Sequence, residues 1–172
     1  MDLVQAIDLI YLFRVEGDND SAWKLGYQTE GSTEETREYE SEPTKDGTRK
    51  SPGAYEGTHS VSSFMESDDK YVKKLKELVR AKNPERLEVW EIDRTDIDDK
   101  DTIPGDYSKD YVTSVNRESD SEGDVELEIE TEVDGTIVSG EVEVTDELKE
   151  ILQQISEEQE FVQPIVVEES TE

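Results

Sequence analysis

Residues Asp124 to Asp134, DVELEIETEVD, alternate almost without a break. Val125, Leu127, Ile129 and Val133 fall on one side, with Thr131 as the polar exception, and Glu126, Glu128, Glu130 and Glu132 fall on the other. Side chains on a strand point to opposite faces with a period of two, so the stretch reads as a half-buried β-strand. Carboxylates two residues apart stand ~6.7 Å from one another on such a strand. At that spacing each adjacent pair repels by ~0.6 kcal/mol in water and by far more in a dry interior, so the glutamate face must be wet. A lone glutamate would mark an ordinary solvated face. An unbroken row, followed by Asp134-Gly135 and then by Glu141-Val142-Glu143-Val144, reads as a special anionic surface whose counterpart the pattern leaves open.

Charge is the next constraint. The chain has 172 residues, 18 lysines and arginines against 47 aspartates and glutamates, and a net charge of −29. Only 31% of residues are hydrophobic, which by composition alone leans toward disorder, but clear strand alternation and two helical patterns oppose that. A thin folded module that gains further burial from partner subunits fits better. Such a chain repels nucleic-acid phosphates rather than binding them, and its acidity also suits a saline setting. It has no cysteine, hence neither disulfides nor thiolate chemistry. The longest fully apolar run, Leu9 to Phe13, is far too short for a membrane span, and MDLVQAID lacks a basic leader region. Both point to a chain made and used in a cytoplasm, or released from one by lysis.

Along the chain, DLIYLFRV (Asp8 to Val15) predicts a central, covered strand, apolar on both faces. A second strand is expected from Trp23 through Leu25 and Tyr27. Gln28 to Ser63 is long, polar and poor in large aliphatics, with PTKDGTRKSPG at its middle, and reads as a protruding hairpin turning at Asp46-Gly47. Its tip carries Lys45, Arg49 and Lys50, a basic cluster rare in this chain. Ser67 to Asn83 predicts a helix: Ser67 as cap, Asp68 and Asp69 in the first turn, a stripe of Tyr71, Val72, Leu75, Leu78 and Val79, and Pro84 as stop. Lys70, Lys73, Lys74, Lys76 and Arg80 make it the most basic part of the chain, either a solvated face or one that neutralises a neighbour. LEVWEI (Leu87 to Ile92) predicts a strand with Leu87 and Val89 on one face and Trp90 and Ile92 on the other. Asp93 to Gly105 reads as an acidic loop, Tyr111 to Val115 as the next strand, and Asp134-Gly135 as a tight hairpin into Ile137 to Val144. Thr145 or Asp146 should cap a second helix bearing Leu148, Ile151, Leu152 and Ile155, followed by the apolar segment FVQPIVV, Phe161 to Val167. The module thus spans 1–145, with a C-terminal arm over 146–172.

Nothing in the chain assembles a reaction. His59 is the lone histidine and no G-x-S-x-G elbow accompanies it. Carboxylates are too abundant for any pair to single out a glycosidase. Asp93, Asp96, Asp98, Asp99 and Asp101 invite calcium but do not match the EF-hand spacing. Glycine-rich phosphate loops are missing. Neither a catalytic residue, a cofactor site nor a metal site is expected; an acidic enzyme or calcium-binding domain remains the distant alternative.

The order of pieces resembles the major tail proteins of long, non-contractile-tailed phages. DLIYLFRV, LGYQTEGS, a polar hairpin with TKDGT (Thr44 to Thr48) and SPG, a helix, VWEID (Val89 to Asp93), YVTS and the alternating strand with its later G-E-V follow one another from Asp8 to about Val144. The resemblance implies a mainly β fold: a β-sandwich-like tail tube module with a flanking α-helix, a long protruding hairpin and a C-terminal arm. It implies homohexameric rings stacked into a tube, with inner strands closing one barrel. The tube would hold the tape-measure protein, meet tail terminator and distal tail proteins at its ends, and conduct DNA without specific binding. It also implies a virion location, assembly in the host cytoplasm, and no enzymatic activity, cofactor or membrane. Glu126, Glu128, Glu130 and Glu132 would face the lumen, and Lys45, Asp46, Gly47, Arg49 and Lys50 would reach the neighbouring ring. A secretion-type tube outside any virus is the nearest alternative.

Overall fold

The computed structural model describes residues 3–65, 70–119 and 121–153. Seven strands form one antiparallel sheet: β1 (Leu9–Val15), β2 (Gln28–Thr44), β3 (Gly47–Phe64), β4 (Leu87–Asp93), β5 (Thr102–Glu118), β6 (Glu126–Val133) and β7 (Val138–Glu143). The order is β1-β4-β5-β6-β3-β2, with β7 also on β5. Helix α1 (Lys70–Arg80) follows the long hairpin, and α2 (Asp146–Gln153) follows the last strand.

The sheet curls until its two ends meet. Tyr11, in the first strand of the order, sets its ring 6.0 Å from that of His59 in β3. Its hydroxyl reaches Thr33 of β2 at 2.8 Å and donates to Glu91 of β4 at 3.2 Å. Burial raises the Tyr11 phenol well above its ordinary pKa, so it stays protonated and can donate. The Gln28 side-chain amide stitches the seam, accepting from the Tyr11 N–H at 3.1 Å and donating to the Tyr11 carbonyl at 2.7 Å. A sandwich-like pair of layers is thus made by one sheet folded over itself. Between the layers lie Phe13, Val15, Val61, Leu87, Val89, Leu127 and Ile129, and α1 plugs the opening with Val72, Leu75 and Leu78.

β1 carries apolar residues on both faces because both are covered. Tyr11, Phe13 and Val15 enter the main core, while Ile10 and Leu12 join Ile92, Ile103 and Leu152 in a second one. Its position differs from the central one its composition suggests, since β1 ends the sheet. Its free edge is closed instead by Gln28 and by Trp23, whose backbone exchanges hydrogen bonds of 2.7 and 2.8 Å with Phe13. Trp23 therefore makes an isolated bridge rather than starting a strand, and Tyr27, at φ 51°, turns the chain into β2.

Three further departures have local causes. The hairpin is present, but Thr44 pairs with Gly47, so Lys45-Asp46 occupy the turn and Gly47, at φ +135°, receives the chain. The acidic stretch after β4 is shorter than expected, because Thr102 already starts β5. Asp134-Gly135 does turn, with Gly135 at φ +99°, but β7 does not fold back on β6. β6 and β7 instead lie end to end along one edge of β5, opposite residues 110–118 and 102–107. Arg86 fixes this junction, donating to Asp134 at 3.0 Å and to both oxygens of Glu16. With Lys109 also donating, the Glu16 carboxyl is held down to about 2.

Helix α2 begins where expected, with the Leu148 N–H donating to Thr145 Oγ1 at 3.1 Å. Leu148, Ile151 and Leu152 seal the second core. At the other end two cations reach the Leu152 carbonyl: Arg94 at 2.9 Å and the nearly buried Lys24 at 3.4 Å. Ser67, Asp68, Asp69, Ile155 and the Phe161 to Val167 segment lie outside the described residues.

Closure of the sheet depends on a missing side chain. A Cβ on Gly31 would fall on the Tyr11 ring, which its hydrogen bonds hold in place. Gly31→Ala is expected to destabilise the chain by ~1–3 kcal/mol, read as a lower midpoint in denaturant unfolding.

Burial of Lys24, and then the nearby Arg94 charge, lower its ammonium to about 8 from an unfolded value of 10.5. Between those values the unfolded chain binds more protons, so this group makes stability rise with pH. The melting temperature of wild type relative to Lys24→Met should therefore climb between pH 8 and 10; a flat difference would refute the assignment.

Candidate functional site

The core-facing residues of β6 are sealed: Leu127 is 0%, Ile129 1% and Thr131 1% exposed. The alternate residues Glu126, Glu130 and Glu132 are exposed and Glu128 half-buried, so the predicted two-sided pattern is present. Directly paired residues in an antiparallel sheet share a face. The neighbours of Glu128, Glu130 and Glu132 are Ser62, Ser60 and Thr58 on β3 and Asn116, Ser114 and Tyr111 on β5. Beyond β3, Glu30, Ser32 and Glu34 of β2 continue the same rows. A lysine or arginine does not stand across from any of the four glutamates, and among the described residues none of the four takes an ion pair. The result is an acidic, hydroxyl-rich wall four strands wide without internal neutralisation.

The curl of the sheet decides what lies behind this wall. Both the glutamates and the α2-covered residues are on the outer face, but on opposite layers. At the seam the two approach each other: Glu30, Ser60 and Glu128 line one cavity with Ile10 and Arg94, and Arg94 donates to the Leu152 carbonyl of α2.

Thr131, the exception in the alternation, has a partner inside. It pairs across the ladder with His59 and donates to Asp110 at 2.6 Å. His59 Nδ1 lies 2.7 Å from the same carboxylate, and Ser108 donates to its other oxygen at 2.6 Å. All four residues are at most 3% exposed. The serine contacts the aspartate rather than the histidine, so the set is not a nucleophilic triad. It is a buried polar clasp across β3, β6 and β5. Sequence reasoning placed His59 in a polar strand and missed this; Thr131 in an otherwise apolar row was the available signal.

The hairpin is an extension of the wall. β6 supports β3 only over residues 58–64, so residues 37–56 project as a two-stranded ribbon. Arg49 stands across from Glu42 and Lys50 from Ser41, next to the Lys45-Asp46 turn and Gly47. The acidic loop after β4 gathers Asp96, Asp98 and Asp99 around Arg94 and Lys149, with Lys149 3.6 Å from Asp98. Among the described residues, acidic groups and histidine form no metal-sized cluster.

The sequence of residues 4–139 matches the phage tail tube protein family. The chain belongs to that family. Its role is structural, as a component of the tail tube of a virion. Among solved structures, the SPP1 tail tube superposes with a TM-score of 0.73 at 20% identity, over 94% of this chain and 92% of that one. The tail of a gene transfer agent particle, refined with C6 symmetry, gives 0.56 at 12% identity over 79% and 98%. The tube-terminating cap of the anti-feeding prophage gives 0.62 at 9% identity over 83% and 93%. Curated proteins give no match. The mainly β fold and the tail tube resemblance read from the sequence are both upheld.

Proposed function

We propose that this tail tube protein forms hexameric rings that stack into the tube of a long, non-contractile phage tail, with Glu126, Glu128, Glu130 and Glu132 lining the channel. The un-neutralised glutamate wall is the observation that carries this reading. A protein surface that stays anionic through its own sheet neighbours is built to face something it must not hold. DNA moving along such a wall finds few cations to exchange for its counterions, and so it slides. With the wall inward, α2 and the second core it seals belong to the outer side of the tube; the module spans 1–145 and the arm 146–172, of which the residues past 153 lie outside the described ones. The tape-measure protein fills the channel before ejection, and terminator and distal tail proteins close the ends. The protein acts by assembly rather than by catalysis, and it assembles in the host cytoplasm. Glu128→Lys with Glu130→Lys is expected to leave tubes intact by electron microscopy and slow DNA ejection by about tenfold or more, because each lysine offers a phosphate contact. Loss of rings from folded monomers would make the wall an interface and end the reading.

The projecting ribbon supplies the contact between rings. Each ring carries six times −29, or −174, so stacking needs local attraction. Lys45, Arg49 and Lys50, with the turn at Asp46 and Gly47, set a basic tip against the acidic loop of the next ring around Asp93 to Asp101. Exposed pairs contribute ~0.2–1 kcal/mol each, but six copies add along one ring. Reversal of Lys45, Arg49 and Lys50 to glutamate should leave folded monomers or rings and block tube growth; normal tubes would exclude an electrostatic role for the tip.

A further inference from the structure

Residues 70–82 concentrate the positive charge of this chain. Lys70, Lys73, Lys74, Lys76, Arg80 and Lys82 stand there against Glu77 alone, six minus one, or +5. Val72, Leu75 and Leu78 face the core, which turns the stripe of Lys70, Lys73, Lys76 and Arg80 outward at three- and four-residue spacing. Lys74 pairs with Asp18 at 3.3 Å, and Lys70 lies over the Tyr71 ring. Lys73, Lys76, Arg80 and Lys82 take no ion pair among the described residues. In a protein with 47 acidic side chains, a row of cations without an ion pair among the described residues is a surface suited to an acidic partner.

The strand pattern offers one. Over residues 28–42, β2 carries six glutamates against Arg37 alone, or −5, and is exposed along nearly its whole length. It is also the terminal strand of the sheet, and past its seam with β1 at Gln28 and Thr33 no strand pairs with its outer edge among the described residues. At the other side of the wall, residues 112–118 of β5 pair with β6 alone, and Val112 and Val115 pack into the core cluster that α1 caps. The module therefore ends on one side in an open acidic strand and on the other in an open strand edge flanked by a basic helix. Opposite patches on opposite sides of one subunit join head to tail, and head-to-tail contacts generate rings.

We propose that the basic face of α1 receives the acidic strand β2 of the adjacent copy in the ring. This rests on the tube reading and names a contact within a ring, made by the stem of β2 rather than by the Lys45 to Lys50 tip that reaches the next ring. The helix and the strand carry opposite net charge, and joining them lowers the self-repulsion of assembling acidic subunits.

The test uses the full chain and three variants. Lys73→Glu, Lys76→Glu and Arg80→Glu together should keep a folded monomer, melting within about 3 °C of wild type. Assembly followed by light scattering and electron microscopy should then require at least tenfold more protein. The neutral set Lys73→Gln, Lys76→Gln and Arg80→Gln should shift assembly in the same direction by less, and serves if the reversal fails to fold. Adding Glu35→Lys and Glu38→Lys to the reversed helix should restore rings. Unchanged assembly of the helix variants overturns the proposal while leaving the tube reading intact. Loss without restoration overturns β2 as the partner. A wild-type chain that never forms rings defeats the tube reading and this proposal with it.

Discussion

Tyr11 holds the two ends of the sheet together, and the rest of the architecture follows from that closure. Its backbone takes both hydrogen bonds of the Gln28 amide, and its hydroxyl serves Thr33 and Glu91. One residue thus touches β2 and β4 while its ring faces His59 of β3. Without the seam the sheet would be an open, twisted layer with a thin, one-sided core. With it, a chain that is only 31% hydrophobic closes a two-layered interior and leaves its charges outside. A small core suffices because most of the carboxylates never leave water.

Closure also sorts the electrostatics. The few ion pairs are spent at junctions: Glu16 with Arg86 and Lys109, Arg14 with Glu88 at 2.7 Å, Lys149 with Asp98. Burial and bonding act in opposite directions on Glu88, where Arg14 and Tyr107 prevail and lower its pKa. Among the described residues the wall takes no such pair, and the densest run of cations lies on α1 instead. Segregation of charge within one subunit is what lets subunits differ in sign from side to side although each is strongly acidic overall.

Much of this was legible along the chain. The β6 alternation, the faces of LEVWEI and the helical stripe of α1 appear because burial imposes a period, and a period survives in sequence. What was not legible depends on contacts between distant residues. Nothing near β1 says that a glutamine seventeen positions on will replace a neighbouring strand. Asp134-Gly135 announces a bend but not its direction, since the length of β5 decides which strand β7 meets. The turn shift to Lys45-Asp46 is of the opposite kind, a choice among local geometries that the dipeptide alone underdetermines. Thr131 lay in plain view as an anomaly. Its meaning required His59, seventy-two positions earlier, and Asp110 to arrive at the same point.

Among the described residues the glutamates of the wall take no ion pair. Each could change to another polar residue while Leu127, Ile129 and Thr131 behind it stayed fixed. One strand therefore records two histories. Its inner register is constrained by packing, and its outer register is not. In divergent members of the family, the alternate positions of this strand should vary at different rates, the inner set held by packing and the outer set released from it.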